Sequence, residues 1–119
     1  MIVMDSTVKQ KSFSFAVRIV KLAKFLRENK KEAIMSKQLL RCGTSIGANV
    51  AEAQQAQSRP DFISKLNIAL KEAAETDYWL CLLHETEYLS NQQFSSIISD
   101  CREIEKLLVA IVKSTKNNC

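Results

Sequence analysis

The chain has 119 residues, 46% of them hydrophobic and 25% charged, which is the size and composition of one globular domain and not of a disordered segment. Two glycines and one proline are too few for the turns of a β-sandwich, a barrel or a Gly-rich phosphate-binding fold, which leaves long helices. The net charge of +4 permits a nucleic-acid partner without requiring one.

The charge is distributed unevenly along the chain. Residues 1–31 carry eight Lys or Arg and two acidic residues, a net +6, whereas residues 60–90 carry two Lys and six acidic residues, a net −4. The sequence has no basic-then-apolar leader, and no apolar run approaches the roughly 18 residues of a membrane span. We therefore expect a cytoplasmic protein without a membrane partner.

The first two predicted helices cover residues 8–31 and 36–57, and Ser36 is the predicted N-cap of the second. Apolar residues recur in each at the spacing of one helix face. In the first helix these are Phe15, Ile19, Leu22 and Leu26; in the second they are Leu39, Cys42, Ile46, Val50 and Ala53.

The third and fourth predicted helices cover residues 59–88 and 91–114. Ser58, followed by Pro60 and Asp61, is a start signal for the third helix, and Ser90 with Gln93 forms a capping box before the fourth. The apolar seam of the third helix is Phe62, Leu66, Ala69, Ala73, Thr76, Leu80 and Leu83; that of the fourth is Phe94, Ile97, Cys101, Ile104, Leu108 and Ile111.

These elements predict an all-α fold in which residues 1–119 form a single domain. Connections of a few residues force consecutive helices to run antiparallel. The prediction is therefore an up-down-up-down four-helix bundle.

The sequence offers few groups for catalysis. His84 is the only histidine, which excludes paired Glu-x-x-His di-iron sites, His-based zinc sites and most nucleophilic triads, and we expect it at a solvated helix end. Glu72 and Glu75 could do acid–base work, but a solvent-facing or salt-bridged pair with Lys71 nearby is favoured. We predict no enzymatic activity, no cofactor and no metal site.

The four cysteines are too far apart in sequence for any C-x-x-C pair. Cys42 and Cys101 fall on apolar stripes, where a reduced cysteine behaves as a small hydrophobe. Free thiols are therefore favoured over disulfides for these two and for Cys81 and Cys119.

Gly43 and Gly47 lie four residues apart inside the second helix, where each glycine costs roughly 1 kcal/mol relative to alanine. Such a spacing lets another backbone approach closely, either within the bundle or from another subunit. Beside the glycines, a structural polar network is favoured over a ligand site. Its members are Arg41, Ser45, Asn49 and Glu52.

Basic residues on the first helix form the candidate nucleic-acid surface, since they could contact phosphates at successive turns. No zinc finger, helix-turn-helix or aromatic-interleaved RNA motif accompanies them, so binding would follow backbone charge more than base sequence. The six candidates are Lys11, Arg18, Lys21, Lys24, Arg27 and Lys31, and we call them the basic stripe.

Apolar residues also stand where a monomeric bundle should be polar. They are Val17 and Val20 on the first helix and Ile68, Trp79 and Leu82 on the third. Exposed apolar patches usually mark protein–protein contacts, so we predict self-assembly, which would multiply the basic stripe into a stronger field.

Two motifs carry a resemblance to a known family. Ser45-Ile-x-Ala-Asn49-Val-Ala-Glu52 on the second helix and Glu75-x-x-Tyr-Trp-Leu80 on the third are the most specific parts of a similarity that covers nearly the whole chain. The chain resembles bacterial four-helix-bundle proteins encoded within intervening sequences of 23S ribosomal RNA genes. It is also similar to the accessory variability protein of diversity-generating retroelements.

The resemblance implies a non-enzymatic basic bundle that assembles as a pentameric ring and, in the retroelement branch, binds nucleic acid and a reverse transcriptase. It also implies an architectural task for Ser45, Asn49, Glu52 and Glu75. We therefore expect an oligomeric scaffold that binds nucleic acid, associated with a reverse transcriptase or with ribosomal RNA. The alternative is a protein-only adaptor that docks a partner through the acidic third helix and Trp79.

Overall fold

The computed structural model describes residues 6–117, and within this range every regular element is an α-helix. The helices are α1 (Ser6–Asn29), α2 (Ile34–Ala53), α3 (Arg59–Glu85) and α4 (Asn91–Asn117). Each helix packs against the next one in the chain, and α4 also packs against α1. The molecule measures 48 × 20 × 19 Å. The all-α four-helix bundle predicted from the sequence is confirmed.

The helical periodicity of the sequence selects the core correctly on α2 and α3, where every predicted seam residue is buried. On α1 and α4 the buried stripe differs slightly from the predicted one. Leu22, Phe94 and Ile111 are only partly buried, whereas Ile98 and Val112 are buried. None of the helices in the described part of the chain is both long and apolar enough to cross a membrane.

Both predicted caps that precede α3 and α4 are present. The Ser58 hydroxyl accepts a hydrogen bond from the Asp61 N–H at 3.1 Å. At α4 the bonds are reciprocal: the Gln93 N–H donates to Ser90 Oγ at 3.1 Å, and the Ser90 N–H donates to Gln93 Oε1 at 2.9 Å. These two helix starts follow from local sequence alone.

The predicted start of α2 is wrong, because the helix begins at Ile34 and Ser36 is not its N-cap. The carboxylate of Glu32 accepts hydrogen bonds from the N–H groups of Ile34, Met35 and Ser36 at 3.2, 2.9 and 2.9 Å. A negative side chain therefore satisfies the first amides at the positive end of the helix dipole. Glu32 is only 7% exposed.

The ends of three helices were predicted a few residues too late. α1 and α3 stop before Lys31 (φ 56°) and Glu87 (φ 69°), non-glycine residues in the left-handed conformation that ends helices. α2 stops at Ala53, where the hydrogen-bond pattern changes: the N–H groups of Gln55 and Ala56 donate to the carbonyl oxygens three residues earlier in the chain. Since such positions usually carry glycine, neither charged residue is recognisable in the sequence as a helix stop.

The outer ends of α1 and α4 extend past the predicted bounds. α1 includes Ser6 and Thr7, because Val8 continues its buried stripe by one turn. α4 runs to Asn117 and not to residue 114, and the Arg59 guanidinium at the start of α3 donates to the Thr115 carbonyl at 3.3 Å. Cys119 lies outside the described residues.

Candidate nucleic-acid interface

The basic stripe does not run straight along α1. Each step of three residues turns about 300° around a helix axis, so Arg18, Lys21, Lys24 and Arg27 each fall about 60° behind the one before. The stripe consequently winds from the side of α1 that faces α4 to the solvent-facing side. Its members therefore have different surroundings.

The two N-terminal members of the stripe are paired with α4. Lys11 Nζ lies 3.2 Å from a carboxylate oxygen of Glu103. The Arg18 guanidinium forms an ion pair with Asp100 and donates to Ser96 Oγ at 2.9 Å. These two cations hold α1 against α4, so a phosphate would have to compete with their carboxylates.

The other four members of the stripe are exposed and have no acidic partner among residues 6–117. Lys30, after the end of α1, and Lys37, on the first turn of α2, are also exposed at this end, and sequence reasoning missed both. We call this set the basic end; it consists of Lys21, Lys24, Arg27, Lys30, Lys31 and Lys37. Glu28, Glu85 and Glu87 are exposed at the same end and lower its net charge.

An apolar surface occupies the solvent-facing side of the N-terminal half of α1. Val17 and Val20 are 39% and 50% exposed, and Phe13 beside them is 70% exposed. A groove between α1 and α2 continues this surface through Phe13, Ala48 and Ala51. Phe13 was not among the residues predicted from the sequence, although its i, i+4, i+7 spacing with Val17 and Val20 is typical of one helix face.

The predicted apolar patch on α3 is smaller than expected. Ile68 is 41% exposed, but Trp79 and Leu82 are partly buried, and Trp79 packs against the core. The Trp79 indole N–H donates to Glu75 Oε2 at 3.1 Å. Tyr78, 59% exposed, is the larger aromatic surface.

The polar residues singled out on α2 have separate partners. Arg41 forms ion pairs with Glu72, at 3.3 Å, and with Glu75, so the partner of these two carboxylates is Arg41 and not Lys71. Glu52 pairs with Lys65 at 3.4 Å. These ion pairs join α2 to α3.

Within residues 6–117, two further polar residues of α2 bond only to their own helix. Ser45 Oγ donates to the Arg41 carbonyl at 2.7 Å, and Asn49 Nδ2 donates to the Ser45 carbonyl at 2.8 Å. Both side chains are partly buried, so these bonds satisfy polar groups at the edge of the core.

Helix α1 of the same chain is the neighbour of both glycines. A Cβ at Gly43 would lie 2.8 Å from Cγ1 and Cγ2 of Ile19, and a Cβ at Gly47 would lie 3.3 Å from the Ser12 carbonyl oxygen. Of the two alternatives left open by the sequence, the contact within the bundle is present. The glycines let α1 and α2 approach closely.

His84 lies at the end of α3, as expected from the sequence, and is partly exposed. Its ring stacks on Phe94 with centroids 4.2 Å apart, and its Nε2 lies 2.7 Å from Asn91 Oδ1. It therefore links the end of α3 to the start of α4.

A cluster of thiols and carboxyls lies between α3 and α4. The Arg102 guanidinium, hydrogen-bonded to Asp77, lowers the pKa of that carboxyl, whereas burial and the neighbouring Asp77 raise the pKa of Glu105 to about 6. Burial also raises the pKa of the Cys81 and Cys101 thiols. We call this set the thiol–carboxyl cluster; it consists of Asp77, Cys81, Cys101 and Glu105.

Fold and surface together define a small antiparallel four-helix bundle with a basic end and an exposed apolar face. The chain belongs to the 23S rRNA-intervening sequence protein family, whose model matches residues 4–110. It is similar to a protein of unknown function from the S23 ribosomal protein family of Bacteroides thetaiotaomicron VPI-5482, solved at 1.70 Å resolution. The two are 64% identical, with a TM-score of 0.90 over 91% of this chain and 96% of that one. No curated protein matches significantly.

Proposed function

We propose that this protein is a non-catalytic, self-assembling scaffold that binds nucleic acid at the basic end, with ribosomal RNA as the first candidate. The observation that carries the proposal is that Lys21, Lys24, Arg27 and Lys31 are exposed and free of acidic partners within residues 6–117. Exposed Lys and Arg side chains without an acidic partner can bind a phosphate without first breaking an ion pair. The name of the family supports RNA as the polyanion.

Binding at this surface depends on charge and very little on base sequence. Phe25, which lies between Lys24 and Arg27 in the sequence, is partly buried and packs against the core. Lys and Arg on a convex helix face reach phosphates more readily than base edges. Each phosphate contact releases a counterion, so affinity falls steeply with added salt.

Self-assembly strengthens a surface that is weak in one copy. We propose that a second copy of the chain covers Phe13, Val17 and Val20 together with the small residues Ala48 and Ala51 of α2. The apolar face lies on the N-terminal half of α1, whereas the basic end begins at Lys21, so one helix can serve both contacts. The resemblance implies a pentameric ring, in which five basic ends would act on one polyanion.

Paired and unpaired cations give a matched test of nucleic-acid binding. Lys24→Ala/Arg27→Ala removes one Lys and one Arg from the basic end, and Lys11→Ala/Arg18→Ala removes the same charge from the pairs with α4. Measured by fluorescence anisotropy on a structured RNA, the first variant should bind about tenfold more weakly and lose between about 1 and 2 units of salt slope.

The second variant is the control and should change affinity by about threefold or less, because its cations already face Glu103 and Asp100. Equal losses in the two variants would show that only overall charge matters. Unchanged binding after Lys24→Ala/Arg27→Ala would remove the basic end from the binding surface.

Assembly has its own test. Phe13→Glu places a charge at the centre of the apolar face, whereas Ile34→Glu changes a side chain that is 80% exposed at the start of α2. Light scattering on a sizing column should give a smaller mass for Phe13→Glu and the wild-type mass for Ile34→Glu. A wild-type protein that is a monomer at micromolar concentration would contradict self-assembly.

A reverse transcriptase is the other partner expected from the resemblance, and co-purification with that enzyme is the test. The protein-only adaptor has less support, because Glu72, Glu75 and Asp77 of the acidic α3 are paired with arginines of neighbouring helices. Stable capture of a protein partner with no salt-sensitive RNA binding would favour it.

A further inference from the structure

The thiol–carboxyl cluster brings four metal-binding side chains together from two antiparallel helices. Asp77 and Cys81 lie one turn apart on α3, and Cys101 and Glu105 lie one turn apart on α4. One ligand atom from each of Asp77, Cys101 and Glu105 lies within 4.8 Å of the other two. The i, i+4 spacing directs both members of each pair to one face of their helix.

The sulfur–oxygen distances match those of a zinc coordination shell. Cys81 Sγ lies 3.4 Å from Asp77 Oδ1, and Cys101 Sγ lies 3.6 Å from Glu105 Oε1. In a tetrahedral site with Zn–S of about 2.3 Å and Zn–O of about 2.0 Å, a ligand sulfur and a ligand oxygen are about 3.5 Å apart. The same distances suit S–H···O hydrogen bonds, so a metal can replace the Cys101 thiol proton with little movement of Cys101 and Glu105, whereas Cys81 has to change its side-chain rotamer to join them.

The surroundings of the cluster limit both access and charge. Cys101 is fully buried, while the other three residues are partly exposed, which leaves a path for an ion from solvent. Arg102 flanks the cluster, with its Nε 3.0 Å from Asp77 Oδ2 and its Nη2 3.7 Å from Cys81 Sγ. Two thiolates and two carboxylates carry four negative charges, of which a divalent cation and Arg102 together balance three.

We propose that Asp77, Cys81, Cys101 and Glu105 bind one Zn²⁺ ion that joins α3 to α4. Asp77, Cys101 and Glu105 already converge, and rotation of the Cys81 side chain about its Cα–Cβ bond supplies the fourth ligand. Arg102 moves aside and remains hydrogen-bonded to Asp77 as an outer partner. Two sulfur ligands favour zinc over Mg²⁺ or Ca²⁺, which take oxygen ligands. The two thiol protons are released to solvent on binding.

The expectation of no metal site came from the single histidine, whereas the proposed site uses thiols and carboxyls from two separate helices. The proposed zinc site is independent of nucleic-acid binding, because it lies between α3 and α4 while the basic end lies on α1 and α2. Its role is structural: all four positions are filled by protein, as in closed zinc sites.

Cobalt is the probe for the site, because a thiolate-bound tetrahedral Co²⁺ ion has a sulfur-to-metal charge-transfer band and intense visible bands. The experiment uses the full chain, fully reduced, with Cys119→Ser to remove the one cysteine outside the described residues. We expect one equivalent of Co²⁺ per chain, with both sets of bands, and complete displacement by Zn²⁺. The absence of a charge-transfer band would overturn the proposal.

Single substitutions test each ligand in the same background. Cys101→Ser should abolish the charge-transfer band or weaken Co²⁺ binding by at least about tenfold, and Cys81→Ser and Glu105→Gln should each weaken it by at least about tenfold. The last two change partly exposed side chains, so they test the site even if Cys101→Ser does not fold. Cys42→Ala, which alters the buried thiol of α2, is the matched control and should keep the wild-type spectrum and affinity. Unchanged affinity in Cys81→Ser or Glu105→Gln would overturn the four-ligand site.

Discussion

The α1–α2 hairpin and the α3–α4 hairpin differ in where their charged side chains lie. In the first, the helices approach through Gly43 and Gly47, and most cations point to solvent. In the second, charged and thiol groups meet between the helices, with Asp77 bound to Arg102 and Glu105 beside Cys101. The first hairpin therefore carries the proposed partner surfaces, and the second carries a partly buried polar cluster.

This difference shows that formal charge is a poor guide to which residues a partner can use. Lys11 and Lys24 stand on the same helix and look equivalent in the sequence, yet of the two only Lys11 forms an ion pair within residues 6–117. The acidic α3 likewise has less free charge than its composition suggests, because Arg41 and Arg102 pair with its carboxylates. Four tests probe the contrast between the hairpins, beginning with the largest expected effect.

Glu32→Ala tests the ionic contact inside the turn of the first hairpin. The variant should lose about 2 kcal/mol of unfolding free energy, because three amides at the start of α2 lose a charged acceptor. Urea unfolding followed by circular dichroism measures the loss. Glu28→Ala, on the exposed last turn of α1, is the control and should change stability by no more than about 0.5 kcal/mol. Similar small losses in both variants would show that Glu32 does not cap α2.

Gly43→Ala and Gly47→Ala test the close approach of α1 and α2. At Gly43 the new methyl group meets the stiff, buried Ile19 at 2.8 Å, and overpacking should outweigh the gain in helix propensity by about 1 kcal/mol. At Gly47 the contact is 3.3 Å, so we expect a change within about 0.5 kcal/mol. Thermal unfolding of the pair gives the comparison, and an equally stable Gly43→Ala variant would argue against tight packing at Ile19.

Glu105→Gln tests the cluster of the second hairpin in metal-free protein. The pKa of Glu105 is raised from 4.5 to about 6, so its protonated form stabilises the fold below about pH 4.5 and that contribution is lost as pH rises through 6. The partly exposed carboxyl should account for about 1 kcal/mol after allowance for solvent screening. Glutamine does not titrate, so the stability difference between variant and wild type should shift by that amount in favour of the variant between pH 4.5 and 7.

The lowered pKa of Asp77 acts in a different pH range. Its charged form stabilises the fold above about pH 3.8, and that contribution is lost as pH falls below this value. Urea titrations at pH 4.5 and 7, with chelator present, therefore isolate Glu105. A difference that does not change between these two pH values would contradict the raised pKa.

Lys31→Gly and Glu87→Gly test one local feature that both hairpins share. Each residue holds a left-handed conformation, at φ 56° and 69°, that costs a non-glycine side chain free energy. Each glycine variant should raise the unfolding free energy by about 0.5 kcal/mol, by the same amount in either hairpin, as read from chemical denaturation. A loss of stability at either site would indicate that the charged side chain has a role beyond the turn.

Sequence patterns predicted the helices well wherever the signal was local. The capping groups Ser58 and Ser90 and the seam of α3 follow from residues within one or two turns of each other. The stops at Lys31 and Glu87 were missed because neither is a glycine, and the start of α2 was missed because the cap comes from Glu32. At each of these helix ends, a residue type that is uncommon in that position ends or caps the helix.

The candidate sites were less predictable than the helices. The sequence identified Arg41 as part of a polar network, and the resemblance gave Glu75 an architectural task. Neither predicted that Arg41 pairs with Glu72 and Glu75, which lie on another helix. It identified Lys11 and Arg18 as candidates for phosphate binding, although both are paired with α4. It overlooked Phe13, Lys30 and Lys37, which have the exposure that the proposed contacts require.

By itself the sequence determined four amphipathic helices, their antiparallel order and most of the buried residues. These properties follow from the 3.6-residue period and short connections, which act over a few neighbouring residues. Only the tertiary structure decided which cations are free, what contacts the glycines, and that two thiols and two carboxyls converge between α3 and α4. Those outcomes depend on the rotation and register of each helix against its neighbours, which the packing of the whole core sets.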